Sequence, residues 1–582
     1  MQQVDFTTLT AACCELRSQW LPARIEQVVQ QDRFTVYIGL RTLDQRGWLA
    51  LSWHPQAARI CMGTPPPKGA DTFTFSQQLR HQLNGLALIA IEPIAAWERV
   101  IDLQIGQRPQ APVDWHVYVE IMGKYSNVIL TNAENRIVTA AHQVSAQQSS
   151  VRPIQTGDLY QPPPHLTDPI PTLSESFEHW QRQVGLVPGP LKRNLLKTYR
   201  GLSSALVLSM LSTVALKPDL STEQLQEADW QRLFQAWQDW LSALENQSFT
   251  PGWCRGESLS YTVLGWDITH PATDTQILLD EYYSQQLGEQ VFKQLRHQLQ
   301  QKVKGHLKKL NTKAKTFQDQ LKASDTAEAY RERADLLMAH LHEWQLGMKT
   351  LTLKDFESGE PRTLTLNPEK NAVQNAQAWY KRHQKLKRSR AQVQPLLEEV
   401  LSEVAYLDQV EASIQQLEQF EDAADLLTLH DIRDELILQN YFPKLEYRKD
   451  APPEIPFYQY QSPSGWELLI GRNNRQNDLL TFRTATTYDL WFHTQEIPGS
   501  HVLLRLEAGA VPEPGDMQFA ANMAAYYSRA RQSHQVPVIY TESKNVYKPK
   551  GAKPGMVIYK HEQVIWGQPQ SVKDRVHAPS PG

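Results

Sequence analysis

The stretch GRNNRQND at residues 471–478 opens the part of the sequence that says most about the fold. It is followed by DLWFH at 489–493, PGSHV at 498–502 and KPKGAKPGMV at 548–557. Short apolar runs alternate here with turn residues and polar side chains, which predicts a small strand-rich domain. Arginine, asparagine, histidine and lysine in its loops, together with aromatic rings, suit phosphates and unpaired bases. No catalytic set emerges from this stretch.

The composition indicates an ordinary protein of several domains. The 582 residues are too many for one hydrophobic core, and the apolar content of 41% and charged content of 21% are typical of globular chains. The net charge of −4 excludes a global basic field, so nucleic-acid binding must use local patches. The four cysteines form no CxxC pair and fit a reducing compartment. Without a signal-like N-terminus or a membrane-spanning apolar run, we expect a cytoplasmic protein.

Two polar sites stand out in residues 1–172, where helical and strand patterns are mixed. The first is Trp97-Glu98-Arg99-Val100, and Asp5, near the start of the first predicted helix, is a candidate to lie close to it. The second is the turn EIMGKYSN at 120–127, between two apolar strands. Composition alone favours plain roles for both, namely a surface charge pair of small energetic value and a hairpin loop in which Asn127 caps the backbone.

The middle of the chain is predicted to be helical. Residues 173–250 have turns between short helices, 251–286 form a small strand segment with a strand pair at 251–283, and 287–442 form a coiled-coil hairpin with a tip at about 323–370 that has its own small fold. Beyond the hairpin, residues 443–456 are predicted to be a linker and residues 520–531 a helix. Apolar residues recur in the hairpin at intervals of three and four, which is a heptad pattern. The two seams are Val303, Leu307, Leu310, Ala314, Phe317 and Leu321, and Val393, Leu397, Val400, Val404, Leu407, Val410, Ile414 and Leu417.

Basic charge is concentrated on both arms of this hairpin. Residues 293–315 and 381–390 contain lysines and arginines and no acidic residue. A charge run on a coiled coil is usually a solvated face, but such a face normally mixes signs. One-sided charge on both arms favours RNA phosphate as the counterpart. The candidates are Lys302, Lys304, Lys308, Lys309, Lys385, Lys387 and Arg388.

The sequence resembles the NFACT family over nearly its whole length. The resemblance rests on Asp5, on Glu98–Arg99 where the family has Asp-Arg, on the 120–127 turn, on 371–387 and on the C-terminal stretch. It implies an α+β multidomain fold with four parts and a tail. These are a mixed α/β N-terminal domain (1–172, completed by 251–286) similar to formamidopyrimidine-type DNA glycosylases, a helix-hairpin-helix domain (173–250), a long antiparallel coiled coil (287–442), a strand-rich RNA-binding domain (443–569) and a disordered tail (570–582).

The resemblance also implies a function. NFACT proteins are ribosome-associated quality-control factors that bind stalled large ribosomal subunits carrying peptidyl-tRNA. Bacterial members recruit aminoacyl-tRNA, namely alanyl-tRNA, for untemplated C-terminal tailing of the nascent chain. The ribosome performs the peptidyl transfer, so the protein is expected to be a monomeric positioning factor and not an enzyme. Glycosylase chemistry is not expected, because Gln2 and Gln3 stand where those enzymes need Pro and Glu. The alternative is a fibronectin-binding surface adhesin, against which the missing secretion signal argues.

The site residues follow from the resemblance and the basic runs. We expect no catalytic residue, no metal, no cofactor and no membrane partner. The residues expected to bind tRNA are Asp5, Glu98, Arg99, Lys124 and Asn127. Those expected to bind ribosomal or other RNA are the seven arm residues named above and Arg472, Asn473, Asn477, His493, His501, Lys548 and Lys550.

Overall fold

The computed structural model describes residues 1–30, 32–66, 71–145, 147–149, 151–164, 167–254, 259–356, 358–443 and 455–576. The chain divides into two units, Met1–Leu287 and Gly288–Gly582. Each unit contains helices and strands, so the α+β class predicted from the sequence is confirmed. Most of the predicted linker at 443–456 lies outside the described residues.

An antiparallel sheet dominates the first unit. Its strand order is β4-β3-β2-β1-β5-β6-β7-β8-β9, and α1 and α2 pack their apolar residues against it. Strand and helix residues such as Leu16, Ile25 and Leu79 are fully buried, so the core lies between these layers. The elements are α1 (Phe6–Trp20), β1 (Ala23–Gln30), β2 (Thr35–Arg41), β3 (Arg46–Ser52), β4 (Arg59–Gly63), α2 (Thr74–Leu83), β5 (Ala87–Pro93), β6 (Val100–Gly106), β7 (Trp115–Glu120), β8 (Asn127–Asn132) and β9 (Ile137–Ala140).

Four helices with an aromatic core follow the sheet within the same unit. Trp180, Trp237 and Trp240 are fully buried and contact one another in sequence order. A three-stranded sheet, where the sequence suggested a strand pair, completes the unit. The elements are α3 (Phe177–Gly185), α4 (Leu191–Thr198), α5 (Ser204–Thr213), α6 (Glu227–Glu245), β10 (Gly252–Cys254), β11 (Ser260–Thr262) and β12 (Ile268–Pro271).

Two long helices form antiparallel arms, and the first of them begins at Thr275, earlier than the expected boundary at 287 and inside the expected strand segment 251–286. Phe292 to Leu307 of the first helix pack against Tyr406 to Leu417 of the second, while Ala314 packs against Leu397 and Val400. The residues of the predicted seams are therefore those that meet, and the coiled-coil prediction is confirmed. The second helix runs through Pro395. The elements are α7 (Thr275–Ser324), α8 (Ala327–Ala339), β13 (Thr350–Lys354), β14 (Pro361–Thr365), α9 (Ala372–Gln416) and α10 (Ala423–Leu438).

The strand-rich C-terminal domain has a six-stranded antiparallel sheet in the order β15-β16-β18-β17-β19-β22. The alanine-rich α12 packs on one face of it, with Ala520, Ala521, Ala524 and Ala525 fully buried. The elements are β15 (Tyr458–Gln461), β16 (Glu467–Ile470), α11 (Asn474–Leu479), β17 (Leu490–Thr494), β18 (Val502–Leu504), α12 (Pro514–Tyr526), β19 (Val536–Glu542), β20 (Val546–Tyr547), β21 (Ile558–Tyr559), β22 (Gln563–Gly567) and α13 (Lys573–Val576).

Two sequence predictions for this domain need correction. The helix predicted at 520–531 begins earlier and ends at Tyr526, because Pro514 suits the first helical turn and Glu513 and Asp516 cap it. Residues 570–576, predicted to belong to a disordered tail, are ordered, since Val572 is buried against α12 and α13 follows it. The remaining tail residues, 577–582, lie outside the described residues.

Candidate nucleic-acid interface

The turn between β5 and β6 has a constrained backbone at Trp97. This residue has a φ of +62°, a left-handed conformation that a bulky side chain adopts only where its surroundings hold it. Its ring stacks on Phe6 at a centroid distance of 4.6 Å and meets Trp240 edge-on at 5.7 Å. Gly201 completes the enclosure, because a Cβ there would lie 2.5 Å from the indole. The packing of Trp97 thus fixes the direction of the two charged residues that follow it.

Asp5 is anchored at the start of α1. Its Oδ1 accepts a hydrogen bond from the Thr8 backbone N–H at 2.8 Å, as an N-cap does. Its Oδ2 accepts from the Ser203 hydroxyl at 2.6 Å. The side chain is buried, and both of its oxygens are engaged within the protein. Asp5 therefore joins α1 to the turn before α5.

Glu98 and Arg99 lie beside this anchor. Arg99 Nη1 donates to the carbonyl of Val4, immediately before Asp5, at 3.4 Å. Glu98 Oε1 lies 3.8 Å from Arg200 Nη1. Burial lowers the pKa of Arg99, and the carboxylates of Asp5 and Glu98 oppose that shift. The expected proximity of Asp5 to Glu98–Arg99 is confirmed. Composition alone favoured a plain surface ion pair, but both residues of the pair are half-buried and contact other polar groups.

An apolar cavity of about 660 Å³ adjoins the same turn. Its walls include Phe6, Trp97, Leu241 and Leu244, and Glu98 lies at its lining. A charged group against an apolar wall interacts more strongly with a partner than it would in open water. A charged or polar ligand at Glu98 would therefore interact with it more strongly than in open water.

The turn at 120–127 is held by its own polar residues. The carboxylate of Glu120 is fully buried, pairs with the Arg152 guanidinium and accepts a hydrogen bond from the Tyr160 hydroxyl at 2.9 Å. Ser126 Oγ accepts a backbone N–H across the turn at 2.8 Å. Asn127 is buried and makes three bonds with backbone groups at 2.7–2.9 Å. Its backbone-capping role, expected from composition, is what the geometry shows.

The predicted arm residues are all solvent-exposed. Within the described parts of the chain, none of these seven cations forms an ion pair with a carboxylate. They lie off the apolar seam of α7 and α9, so their charge is not used to hold the hairpin together. Uncompensated, single-sign charge on a rigid helix pair is suited to a polyanion. The seven are Lys302, Lys304, Lys308, Lys309, Lys385, Lys387 and Arg388.

The conspicuous stretch at 471–478 is largely buried. Arg472 pairs with Asp425 at 3.2 Å, and its guanidinium lies 3.9 Å from the Tyr458 ring centroid. Asn473 caps α11 and donates to Asp431 at 2.9 Å. Asn477 Oδ1 accepts from the His501 backbone N–H, just before β18, at 3.0 Å. These side chains bond to other groups of the protein, so they can influence RNA binding only by maintaining the shape of the domain.

The other predicted residues of this domain differ in exposure. His493 and His501 pack edge-to-face, and burial lowers the pKa of both imidazoles, to about 4 for His493. They are therefore neutral at pH 7. Lys548 is half-buried, and its ammonium bonds Asp478 at 2.7 Å. Lys550 is exposed and available to a phosphate.

Two other kinds of feature are absent from the described residues. These residues contain no group of three or more His, Cys, Asp or Glu side chains arranged to hold a metal ion. They also include no helix that is both long and apolar enough to cross a membrane.

Comparisons with known proteins bear on this geometry. Residues 5–454 match the family described as NFACT N-terminal and middle domains, and residues 456–561 match the NFACT protein RNA binding domain. The chain belongs to the NFACT family. Its C-terminal segment is accordingly an RNA-binding domain of the NFACT type.

Similar proteins cover almost the full length of this NFACT chain. The protein named Rqc2 homolog RqcH from Bacillus subtilis (strain 168) is 30% identical over 572 residues, with 96% of each chain covered. The protein of the same name from Streptococcus pneumoniae serotype 2 is 29% identical over 567 residues, with 96% of each covered. The solved C-terminal part of the fibronectin/fibrinogen-binding protein from Streptococcus suis is 30% identical, covers 49% of this chain and 97% of that chain, and has a TM-score of 0.38.

Several residues of this NFACT site are not evident from the sequence. Trp97 belongs to the stretch 97–100 predicted from the sequence, but its left-handed backbone is not evident there, because that conformation depends on distant packing partners. Arg200 and Ser203 are about 100 to 200 residues from their partners. Tyr125 could have been noticed, since it is the one large aromatic inside the EIMGKYSN motif.

Proposed function

We propose that this NFACT protein is a ribosome quality-control factor. It binds stalled large ribosomal subunits carrying peptidyl-tRNA and recruits aminoacyl-tRNA, alanyl-tRNA in particular, for untemplated C-terminal tailing of the nascent chain. The observation that carries the proposal is the match of 96% of the chain to proteins named Rqc2 homolog RqcH, together with the RNA-binding domain at 456–561.

The tRNA site in this proposal is the network around Arg99. Its planar guanidinium can contact a phosphate or a base edge through two N–H groups at once. Glu98 can accept a hydrogen bond from a base amino group or a ribose hydroxyl, and Asp5 keeps the backbone beside them in place. Lys124 adds a cation on the adjoining turn. Asn127, which is buried and fully used by the backbone, acts by shaping that turn.

Attachment to the subunit is assigned to the arms. Seven exposed cations without ion-pair partners in the described chain face solvent on α7 and α9, and ribosomal RNA offers a dense array of phosphates. Lys550 extends this contact into the C-terminal domain. The buried Arg472, Asn473 and Asn477 support the domain's loops, as do His493, His501 and Lys548.

The finer architecture is part of the same proposal. The N-terminal sheet is assigned to a glycosylase-like domain and α3–α6 to helix-hairpin-helix elements, whose turn amides can contact a phosphate backbone. The domain boundaries are proposed as expected from the sequence, except that the first arm begins at Thr275 and that residues 570–576 belong to the C-terminal domain. The Gln2 backbone N–H donates to the Tyr282 hydroxyl at 2.6 Å, so it is engaged within the protein at the position where a glycosylase would need a free proline amine. We propose that the protein positions RNA in the cytoplasm as a monomer, while the ribosome performs peptidyl transfer.

Reconstitution tests the proposal. Stalled large subunits, the purified protein and total aminoacylated tRNA are combined, and the nascent chain is analysed for added residues. Alanine tails, with tRNA(Ala) enriched on the protein by sequencing of co-purified tRNA, are the expected result. No tail and no enrichment would refute tRNA recruitment. Fractionation of cells distinguishes the adhesin alternative, which requires the protein at the cell surface and not with ribosomal particles.

A further inference from the structure

The turn at 123–125 presents two side chains that its construction does not need. Glu120, Ser126 and Asn127 are buried, and their polar atoms shape the turn. Lys124 and Tyr125 point outward from it, and Tyr125 is 70% exposed. An exposed aromatic ring on a turn that is fixed by buried hydrogen bonds loses little further entropy when a ligand binds.

Lys124 lies over the same ring. Its ammonium is 4.9 Å from the Tyr125 centroid, within the range of a cation–π contact. Because the ammonium lies over one face of the ring, the pair offers the opposite face as a flat aromatic surface with a positive charge close by. This combination suits one nucleotide, whose base stacks on the ring while a neighbouring phosphate approaches the ammonium.

The turn adjoins the Arg99 network. The Ile121 N–H donates to the Arg99 carbonyl at 2.9 Å, and Val100 pairs with Glu120 across β6 and β7. A Cβ on Gly123 would lie 3.7 Å from the Gln3 side chain, close to the start of α1. The exposed pair and the Arg99 guanidinium thus lie at the same end of the same two strands.

We infer that Tyr125 is a stacking platform for an unpaired nucleobase of the RNA held at Arg99, with Lys124 contacting an adjacent phosphate. This inference rests on the proposed tRNA-binding function and adds a residue that binds unpaired bases in preference to paired ones. Every base has a π-face, so Tyr125 selects an unstacked base in a loop and not a particular sequence. A duplex, whose bases are stacked already, is a poor ligand for it.

The test measures binding of purified total tRNA, and of a 12-nucleotide single strand and its duplex, by fluorescence anisotropy at several salt concentrations. Tyr125→Ala should weaken tRNA binding by roughly 5- to 150-fold with the salt slope unchanged. Tyr125→Phe should retain affinity, whereas Tyr125→Leu should not.

The variant Lys124→Ala should lower the salt slope by about one. Leu43→Ala removes another fully exposed apolar side chain of the same unit and should have no effect.

The outcomes separate this inference from the proposed function. If Arg99→Ala weakens tRNA binding and Tyr125→Ala does not, the platform is refuted and the tRNA site stands. If Tyr125→Leu binds as well as Tyr125→Phe, the contact is merely apolar and stacking is refuted. If the wild-type protein binds no tRNA, both are refuted. Equal loss for single strand and duplex in Tyr125→Ala would also contradict selection of an unstacked base.

Discussion

Burial and neighbouring carboxylates act in opposite directions on the pKa of the Arg99 guanidinium. Burial lowers this pKa, and the carboxylates of Asp5 and Glu98 raise it. We expect Arg99→Ala to weaken tRNA binding about 10- to 100-fold, since a hydrogen bond to a charged group is worth about 1.5–3 kcal/mol. Arg99→Lys should recover little, because an ammonium lacks the planar fork. Filter binding of tRNA measures both variants. The control variant is Arg108→Ala, because Arg108 is exposed and lies beyond the opposite end of β6 from Arg99. Equal binding by Arg99→Ala and wild type would contradict the assignment.

Glu435 is a second residue whose environment sets its charge. It is buried in α10, accepts hydrogen bonds from Tyr406 at 2.7 Å and Asn474 at 3.2 Å, and burial raises its pKa from 4.5 to about 7. Its Oε2 is buried with no hydrogen-bond partner in the described chain. The folded state therefore prefers the protonated form.

The sign of the resulting pH dependence follows. Because the folded-state pKa of Glu435 is raised, the stability it contributes is fully present below about pH 4.5 and is lost as the pH rises toward 7. At about 1.4 kcal/mol per pKa unit, the loss is on the order of 3 kcal/mol. Glu435→Gln should remove this part of the slope and be more stable than wild type at pH 8. Urea unfolding at pH 5 and pH 8 measures it, and an unchanged difference between the two pH values would contradict the prediction.

The sequence predicts some residues of the site correctly and others not. Asp5, Glu98 and Arg99 are predicted because the motifs of the family include all three positions. Arg472 and Asn473 look like RNA ligands in the sequence, yet their partners are Asp425 and Asp431 on a helix more than 40 residues earlier. Local sequence shows that a side chain is polar, and it does not show which distant carboxylate will enclose it.

Turns between elements determine the site as much as its charged residues do. Gly201 has a φ of +84°, and a Cβ there would meet the Trp97 ring at 2.5 Å. Gly201→Ala should therefore displace Trp97 and lower tRNA affinity in addition to destabilising the first unit. Gly157→Ala is the matched control, because Gly157 has a φ of +93° with nothing within 4 Å of the added Cβ. Thermal unfolding and tRNA binding of the two variants are compared.

Both glycine variants should lose the roughly 1–2 kcal/mol that a left-handed non-glycine residue costs. Only Gly201→Ala should lose tRNA binding beyond what its stability explains. If the two variants bind tRNA equally well at a temperature where both are folded, the packing of Trp97 does not control the site.

At the level of elements, periodic patterns predict which residues pack together better than the sequence predicts where a helix begins or ends. The seams of α7 and α9 follow from heptad spacing, which depends only on neighbours three and four residues apart. The sequence prediction begins α12 at 520, whereas the helix begins at Pro514. The stretch EPGD at 513–516 contains the proline and the capping pair that mark this start. A helix end depends on which backbone groups find partners, and this is decided by tertiary contacts as well as by propensity.

For the whole molecule, a net charge of −4 coexists with strongly basic arms. Replacing Lys302, Lys304, Lys308 and Lys309 by Gln should leave helix content and unfolding nearly unchanged, because all four are exposed and lie off the seam. Binding to large subunits should weaken, and its salt slope should fall by about one for each phosphate contact removed. Sedimentation with stalled subunits at low and high salt gives both quantities.

The control for this variant keeps the four lysines and changes the net charge by the same amount. Gln294, Gln298, Gln301 and Asn311 are exposed on the same helix, and replacing them by Glu lowers the charge by four without removing a cation. If both variants weaken subunit binding equally, the arm acts through its overall field, as long-range steering would. If only the lysine variant loses affinity and salt slope, the four ammonium groups contact phosphates. If neither changes, this face of α7 is merely solvated, and the subunit is bound elsewhere.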